Sequence, residues 1–283
     1  MSPKQKVAVI SDAACSLPPE IGLEYGVHVV PVYMNFPDKS YLIGVDLKTA
    51  DFYPLLKASK TLPKTSQPTA QDFLKRFEEL SKTYDEMVVV TISEAMSATI
   101  QSARQAAEMT KIPVYVVDSR SVSMGQGMIA LAAARKAAEG ASGAEVAALA
   151  ESIAPRMHAI FTVDTLEYLH KGGRIGGGAK LLASALDIKP ILTVNNGRVE
   201  ALEKQRTRKR VVARLLEIME ERVGGKPVHA AVLHTNVPED AAALAAQVRE
   251  RFNTAGELVV MDAGPDIATH AGPGTVGLVF YTD

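Results

Sequence analysis

Cysteine and long apolar runs are nearly absent from this sequence, and each absence excludes a class of protein. Cys15 is the one cysteine among 283 residues, so the chain cannot form an intramolecular disulfide. No window approaches the roughly 18 uninterrupted apolar residues of a membrane-spanning helix. The apolar run at 7–10 is too short for a signal peptide. We therefore expect a cytoplasmic protein with no stable membrane insertion.

An excess of charge of either sign is also missing, because the formal net charge is −1. Apolar residues make up 47% of the chain and charged residues 22%, which is typical of a globular protein. Six basic residues are concentrated at 203–214, without the aromatic residues or the motif of a nucleic-acid-binding surface. Nucleic acid is therefore not an expected partner. A solvated helix face and a protein-docking surface both remain open for this segment.

The signatures of metal and phosphate sites are missing as well. The chain has no H-E-x-x-H, no clustered cysteine and histidine ligands and no G-x-S-x-G. The stretch "HKGGRIGGGAK" (170–180) is not a P-loop, because Ala179 and Lys180 stand where a lysine and a hydroxyl residue are required. We interpret it as a flexible loop that begins where Gly172 ends a helix, with Arg174 available to an anion or a partner. No metal or other cofactor is predicted.

Short valine-rich runs alternate with helical patterns through the first half of the chain. Four runs are predicted to be strands: residues 6–11, 27–34, 86–93 and 113–119. Helices are predicted after each of the last two runs and before the third. Buried strands separated by helices imply a parallel sheet covered on both faces.

The pattern changes after about residue 155. Asn196-Gly197 predicts a tight type I′ turn between strands at 188–194 and 198–202. Hairpins mixed with helices imply a mixed sheet. We therefore predict an α/β fold with two domains, an N-terminal parallel sheet sandwiched by helices (1–155) and a C-terminal α/β domain with a mixed sheet (156–283).

Polar residues mark the expected starts of helices. Thr69 with Asp72, and Asp164 with Glu167, have the spacing of N-terminal caps. Ser97 lies at a strand-to-helix junction, where it is expected to be an N-cap, and where free backbone N–H groups also favour an anion.

Two further features are not explained by capping. Thr65 and Ser66, in "KTSQPT" (64–69), are hydroxyl residues that no predicted helix uses, which makes them candidate binding residues. His270 precedes Gly272-Pro273-Gly274 and is expected on a tight turn that leads into a strand. By itself, a histidine in such a place is more often a packing residue than a ligand.

Eight stretches, in this order and spacing, resemble the DegV family, whose characterised members are the FakB-type bacterial fatty-acid-binding proteins. The stretches are "SDAACSLP" (11–18), "KTSQPT" (64–69), "AMSATIQSA" (95–103), "VDSRSVSMGQG" (117–127), "FTVDTLEYLHKGGRIG" (161–176), "IKPIL" (188–192), "KQRT" (204–207) and "HAGPGTVGLVF" (270–280). The resemblance implies a carrier that holds a long-chain fatty acid with its carboxyl group near the domain junction. A separate ATP-dependent fatty acid kinase would phosphorylate that group for phospholipid synthesis.

The resemblance also implies roles for individual residues. The motif positions that bind the carboxylate are Thr65, Ser97 and His270. Residues that would support this site are Ser66, Thr99, Gly272 and Arg174. The region linked to the kinase contains Arg206, with Lys204 and Arg208 beside it.

The sequence departs from the family pattern at two places. Ala98 replaces the usual glycine of a Ser-Gly-Thr triplet, so a methyl group stands where the backbone might approach a ligand. Ala13, Ala14 and Cys15 replace a start rich in serine and threonine, which weakens any polar role there.

Two other classes of function remain as alternatives. One is a small-molecule hydrolase or phosphotransferase that uses Asp118, His270 and Arg174 in an interdomain cleft. The absence of a phosphate-binding loop counts against phosphoryl transfer. The other is a DNA-binding regulator that uses residues 203–214, which the near-zero net charge disfavours.

Overall fold

The computed structural model describes residues 5–184 and 188–283, which form two compact units. Unit 1 contains the described residues up to Lys48 together with Ser59–Pro155. Unit 2 contains Thr49–Ala58 and Arg156–Asp283. The segment Thr49–Ala58 therefore belongs to unit 2, whereas the predicted division at residue 155 assigned it to the first domain.

The strands and helices follow one another along both units. The strands are β1 (Gln5–Asp12), β2 (Val27–Val30), β3 (Tyr33–Asn35), β4 (Ser40–Leu42), β5 (Lys64–Ser66), β6 (Tyr84–Thr91), β7 (Val114–Asp118), β8 (His158–Thr162), β9 (Lys189–Asn195), β10 (Arg198–Gln205), β11 (His229–His234), β12 (Val259–Asp262) and β13 (Val276–Tyr281). The α-helices are α1 (Pro19–Tyr25), α2 (Thr49–Ala58), α3 (Ala70–Leu80), α4 (Thr99–Met109), α5 (Met124–Ala138), α6 (Gly143–Ile153), α7 (Glu167–Lys171), α8 (Arg208–Val223), α9 (Pro238–Arg251) and α10 (Pro265–Ala271). Short 3-10 segments lie at Ala13–Cys15, Ala154–Arg156 and Gly176–Ser184.

The main sheet of unit 1 is parallel, in the order β2-β1-β6-β7. On one face, Ile10 and Val89 pack with Phe73 and Phe77 of α3 in a buried apolar cluster. Because side chains alternate along a strand, Ser11 faces the other side of the sheet, where α5 lies. There the Ser11 hydroxyl accepts a hydrogen bond from the side-chain amide of Gln126 at 2.9 Å. The predicted parallel sheet between helices is confirmed.

The predicted strand at 27–34 is divided into two strands that belong to different sheets. β2 ends at Val30, and β3 begins at Tyr33 in a separate antiparallel sheet of order β4-β3-β5. Pro31 lies between them, and a proline has no N–H to donate to a strand ladder. The run of apolar residues hides this break.

The sheet of unit 2 is mixed, as predicted, in the order β10-β9-β8-β13-β11-β12. All neighbours are antiparallel except β11 and β12. The turn between β9 and β10 has positive φ at Asn196 (47°) and Gly197 (74°), which confirms the type I′ hairpin. No helix in the described ranges is both long and apolar enough to cross a membrane.

Helices α8 and α9 form the core of unit 2 with one face of this sheet. Buried residues contributed by α8 include Leu215, Leu216 and Met219. They pack with Ile160 and Phe280 of the central strands. Because side chains alternate along a strand, the neighbours of these two residues lie on the opposite face of the sheet. On that opposite face, the segment Gly176–Ser184 approaches Leu192 of β9.

Candidate functional site

The carboxyl ends of the parallel strands in unit 1 carry a cluster of polar residues. β1, β6 and β7 end next to one another because they are parallel neighbours. Buried hydroxyl and carboxyl groups at or beyond these ends are Asp12, Thr91, Ser93, Thr99, Ser119, Ser121 and Ser123. Ligands of open α/β sheets bind at this edge, which makes the polar cluster of unit 1 a candidate binding site.

Ser97 lies in the loop 92–98 between β6 and α4 and does not cap the helix. The N-cap of α4 is Ala98, without a side-chain hydrogen bond, so the predicted cap is wrong. The Ser97 hydroxyl instead lies 2.9 Å from the hydroxyl of Thr99, which is buried. When Thr99 donates to Ser97, the Ser97 proton is left for another acceptor, such as a carboxylate.

Thr65 and Ser66 occupy opposite faces of the short strand β5. Thr65 pairs with the buried Met34 of β3, so it shares a face with the interior of unit 1. Ser66 is exposed, and its hydroxyl accepts a hydrogen bond from the Asn35 side chain at 2.9 Å. Thr69 caps α3 in a reciprocal arrangement with Asp72, as predicted.

His270 lies in the last turn of α10, not on the tight turn that the sequence predicted. The turn follows directly, with positive φ at Gly272 (79°) and Gly274 (88°), a conformation that glycine adopts without strain. Burial, and to a smaller extent the positive charge of Arg174, lower the pKa of His270 from 6.5 to about 4. The imidazole is therefore neutral at pH 7.

The imidazole of His270 lies against the backbone of Gly172. A Cβ atom added at Gly172 would collide with the ring Nδ1. Gly172 ends α7, as predicted, and its carbonyl accepts a hydrogen bond from the exposed Arg174 at 2.7 Å. The end of α7, Arg174 and His270 thus form one local group in unit 2.

Two buried threonines hold the glycine turn after His270. The Thr235 hydroxyl donates to the Gly272 carbonyl at 2.6 Å and accepts from the Thr275 N–H at 3.0 Å. The Thr275 hydroxyl also donates to the Gly272 carbonyl, at 3.0 Å. Neither threonine was predicted to have a role, although Thr275 lies within the stretch "HAGPGTVGLVF" (270–280).

The basic side chains of the segment 203–214 differ in whether they form ion pairs. Arg208 contacts Asp240 at 3.0 Å and Asp164 at 3.6 Å. Asp164 therefore forms an ion pair and does not cap α7, whose N-cap is Leu166. In the described part of the chain, no ion pair within 4.0 Å is formed by Lys204 or Arg206, which leaves their charges to solvent or a partner.

The residues of the alternative enzymatic hypothesis also have local roles. Asp118, at the end of β7, accepts hydrogen bonds from the N–H groups of Arg120 at 2.9 Å and Glu94 at 3.3 Å. The described residues contain no group of three or more histidine, cysteine or acidic side chains that could hold a metal ion. Unit 1 holds Thr65 and Ser97 and unit 2 holds His270, and their action on one carboxylate stays a prediction.

Comparison with known proteins gives matches along nearly the whole chain. A family model described as "Uncharacterised protein, DegV family" matches residues 6–283. A DegV domain-containing protein of Streptomyces coelicolor is 36% identical over 274 residues, which are 96% of this chain and 97% of that protein.

Two solved structures have the same fold. A Thermus thermophilus DegV family protein, described for its fatty acid binding, is 34% identical with a TM-score of 0.93, over 98% of this chain and 100% of that one. DegV of Bacillus subtilis, described as a fatty acid binding protein, is 31% identical with a TM-score of 0.91, over 99% of this chain and 100% of that one. On these matches, the chain described here belongs to the DegV family.

Proposed function

We propose that this protein binds a long-chain fatty acid and presents its carboxyl group to a separate ATP-dependent fatty acid kinase, which forms an acyl phosphate. One observation carries the proposal: two solved structures that match nearly the whole chain are those of DegV proteins described as binding fatty acids. The protein acts as a carrier and contributes no phosphoryl-transfer chemistry.

The residues of each unit have the chemistry that a carboxylate requires. A buried carboxylate is costly unless donors surround it. Thr65 and Ser97 supply hydroxyl donors, and neutral His270 has one ring N–H to donate. An anion near His270 also favours the imidazolium form, so binding raises the pKa of His270 and strengthens the contact.

Burial of the acyl tail supplies most of the affinity. At about 0.8 kcal/mol for each buried methylene, around fourteen methylenes give roughly 11 kcal/mol before the cost of association. That cost is several kcal/mol, which leaves a tight complex.

The kinase-facing surface is proposed to lie around Arg206 and Lys204. Arg208, the third basic residue predicted for this surface, is committed to ion pairs with Asp240 and Asp164. We therefore assign kinase docking first to Arg206. Arg208 would contribute only indirectly, because its ion pairs hold the start of α8 in place.

The test is a phosphorylation assay with palmitate, ATP and Mg²⁺, with and without a purified bacterial fatty acid kinase. We expect acyl phosphate only when the kinase is added, and a rate that rises with the concentration of this protein. Replacement of Thr65, Ser97 or His270 by alanine should lower palmitate retention or the rate of phosphorylation. Acyl phosphate formed without kinase would contradict the carrier role and favour an enzyme.

A further inference from the structure

The carboxyl group of Asp12 is fully buried, with 0% of the residue exposed, at the polar edge of the parallel sheet in unit 1. No part of the proposed function uses it. Its oxygens accept hydrogen bonds from the N–H of Ala14 at 3.1 Å, the N–H of Ile92 at 3.0 Å and the side-chain amide of Gln126 at 2.9 Å. These donors come from three segments: the 3-10 turn after β1, the end of β6 and the helix α5.

The contact with Ile92 connects Asp12 to Ser97. Ile92 begins the loop 92–98, and the next residue, Ser93, organises the rest of it. The Ser93 carbonyl accepts from the N–H of Met96 at 3.0 Å and of Ser97 at 3.1 Å. Through Ile92 and Ser93, the position of the Asp12 carboxylate fixes the start of the turn that carries Ser97.

A buried carboxylate at this place is energetically unfavourable by itself. The pKa of Asp12 is raised from 3.8 to about 6, because the effect of burial exceeds that of the hydrogen bonds, which lower it. Within the described residues, no charged side chain contributes to this shift. The groups that face it are two backbone N–H groups and the neutral Gln126 amide. The nearest titratable side chain in the sequence is the buried thiol of Cys15.

We propose that Asp12 is a positioning residue for ligand binding: its ionised carboxylate holds Ile92, and with it the loop that places Ser97 against the carboxyl group of the ligand. This inference rests on the proposed function, because it requires Ser97 to contact the ligand. An ionised carboxylate accepts from all three donors, whereas a protonated one uses part of its surface as a donor. Protonation of Asp12 therefore loosens the loop.

The affinity for fatty acid should therefore depend on pH through the ionisation of Asp12. As the pH falls through about 6, Asp12 becomes protonated and the affinity for fatty acid decreases. The fatty acid and His270 also titrate at acidic pH. The informative quantity is therefore the ratio of wild-type to variant affinity for the same ligand, in which these other titrations cancel.

The experiment measures palmitate binding to delipidated full-length protein from pH 5 to pH 8. The variants are Asp12→Asn, which keeps the shape but cannot ionise, and Gln126→Met, which removes one donor. Ser97→Ala tests the ligand contact. Ser142→Ala removes the capping box of α6, also in unit 1, and is the control for a general loss of stability.

We expect Asp12→Asn to bind about tenfold more weakly than the wild type at pH 7.5, the loss typical of a hydrogen bond to a charged group. The ratio should approach one at pH 5. In Gln126→Met, the midpoint of the pH dependence should move to higher pH, because the Gln126 hydrogen bond lowers the pKa of Asp12. If Asp12→Asn does not fold, the pH midpoint of Gln126→Met still tests the role of Asp12. Ser142→Ala should follow the wild type at every pH.

Three results would overturn the inference. The first is equal affinity of Asp12→Asn and wild type at pH 7.5, and the second is a ratio that does not change with pH. The third is weakened binding in Asp12→Asn while Ser97→Ala binds normally, because Asp12 would then act through another group. If the wild-type protein binds no palmitate at any pH, the proposed function itself fails, which is a distinguishable outcome.

Discussion

The hydroxyl of Tyr53 donates to both carboxylate oxygens of Asp262, at 2.8 and 2.9 Å, across 209 positions of the sequence. Both residues belong to unit 2, Tyr53 on α2 and Asp262 at the end of β12. Asp262 also accepts the N–H of Gly264, which precedes α10, at 3.0 Å. One carboxylate thus holds α2 and the start of the helix that carries His270.

Tyr53→Phe should loosen α2 without unfolding the protein. The substitution removes only the hydroxyl and leaves the buried Phe52 in place, so the free energy of unfolding of unit 2 should fall by roughly 1–2 kcal/mol. Amide hydrogen exchange in 49–58 should become faster. Tyr41→Phe, on β4 of unit 1, is the control, and equal exchange in both variants would contradict the role of Tyr53.

The place of α2 could not be predicted from the sequence, because a local pattern does not show which unit a helix packs on. The alternation of Val-rich runs and helices did predict the parallel sheet, since burial on two faces produces that pattern directly. The Asn196-Gly197 turn predicted the hairpin of the mixed sheet, whereas the small sheet β4-β3-β5 was not predicted. Pro31 was a visible signal for the break between β2 and β3, but the surrounding apolar residues outweighed it.

The candidate site was predictable in part for similar reasons. Motif positions predicted Thr65, Ser97 and His270 as ligand residues, which stays a prediction, but they did not predict the helix that carries His270. Pro265 at the start of α10 and Asp266 in its first turn were signals for that helix. Gln126 stands among apolar residues of α5, and its link to Asp12 depends on contacts 114 positions apart, which no local pattern contains.

Gly172→Ala should weaken fatty acid retention about as much as loss of the imidazole does. The backbone φ of Gly172 is −76°, which alanine tolerates, so the main effect is the collision of the new methyl group with Nδ1 of His270. We expect about tenfold weaker palmitate binding. Gly178→Ala makes only ordinary contacts and is the matched control. Unchanged binding in Gly172→Ala would show that the imidazole position does not matter.

His270 should also make stability depend on pH in the delipidated protein. Its pKa is about 4 in the folded state and 6.5 in the reference state, so the unfolded chain binds more protons between these values. Stability from this group therefore rises as the pH rises from 4 to 6.5, by up to about 3 kcal/mol.

The measurement is denaturant unfolding of wild type and His270→Asn at pH 4.5 and 7. The difference between the two proteins should grow with pH in favour of the wild type. A difference independent of pH would contradict the neutral, buried state of His270.

Arg206→Ala should keep its bound fatty acid but slow phosphorylation by the kinase, most clearly at low salt, where an acidic partner surface is attracted from a distance. Lipid content and kinase turnover must be measured on the same preparation. Arg210→Ala, a nearby change of the same charge, is the control. Loss of lipid in Arg206→Ala would assign the residue to the ligand site, and no change in either quantity would favour a solvated helix face.

The central claim is that this protein carries a long-chain fatty acid. The most direct measurement is mass spectrometry of the organic extract of purified, denatured wild-type protein, compared with His270→Ala prepared in the same way. The account predicts long-chain fatty acid in near-stoichiometric amount in the wild type and clearly less in the variant. A wild-type protein that yields none, and takes up none when incubated with palmitate or oleate, would contradict it.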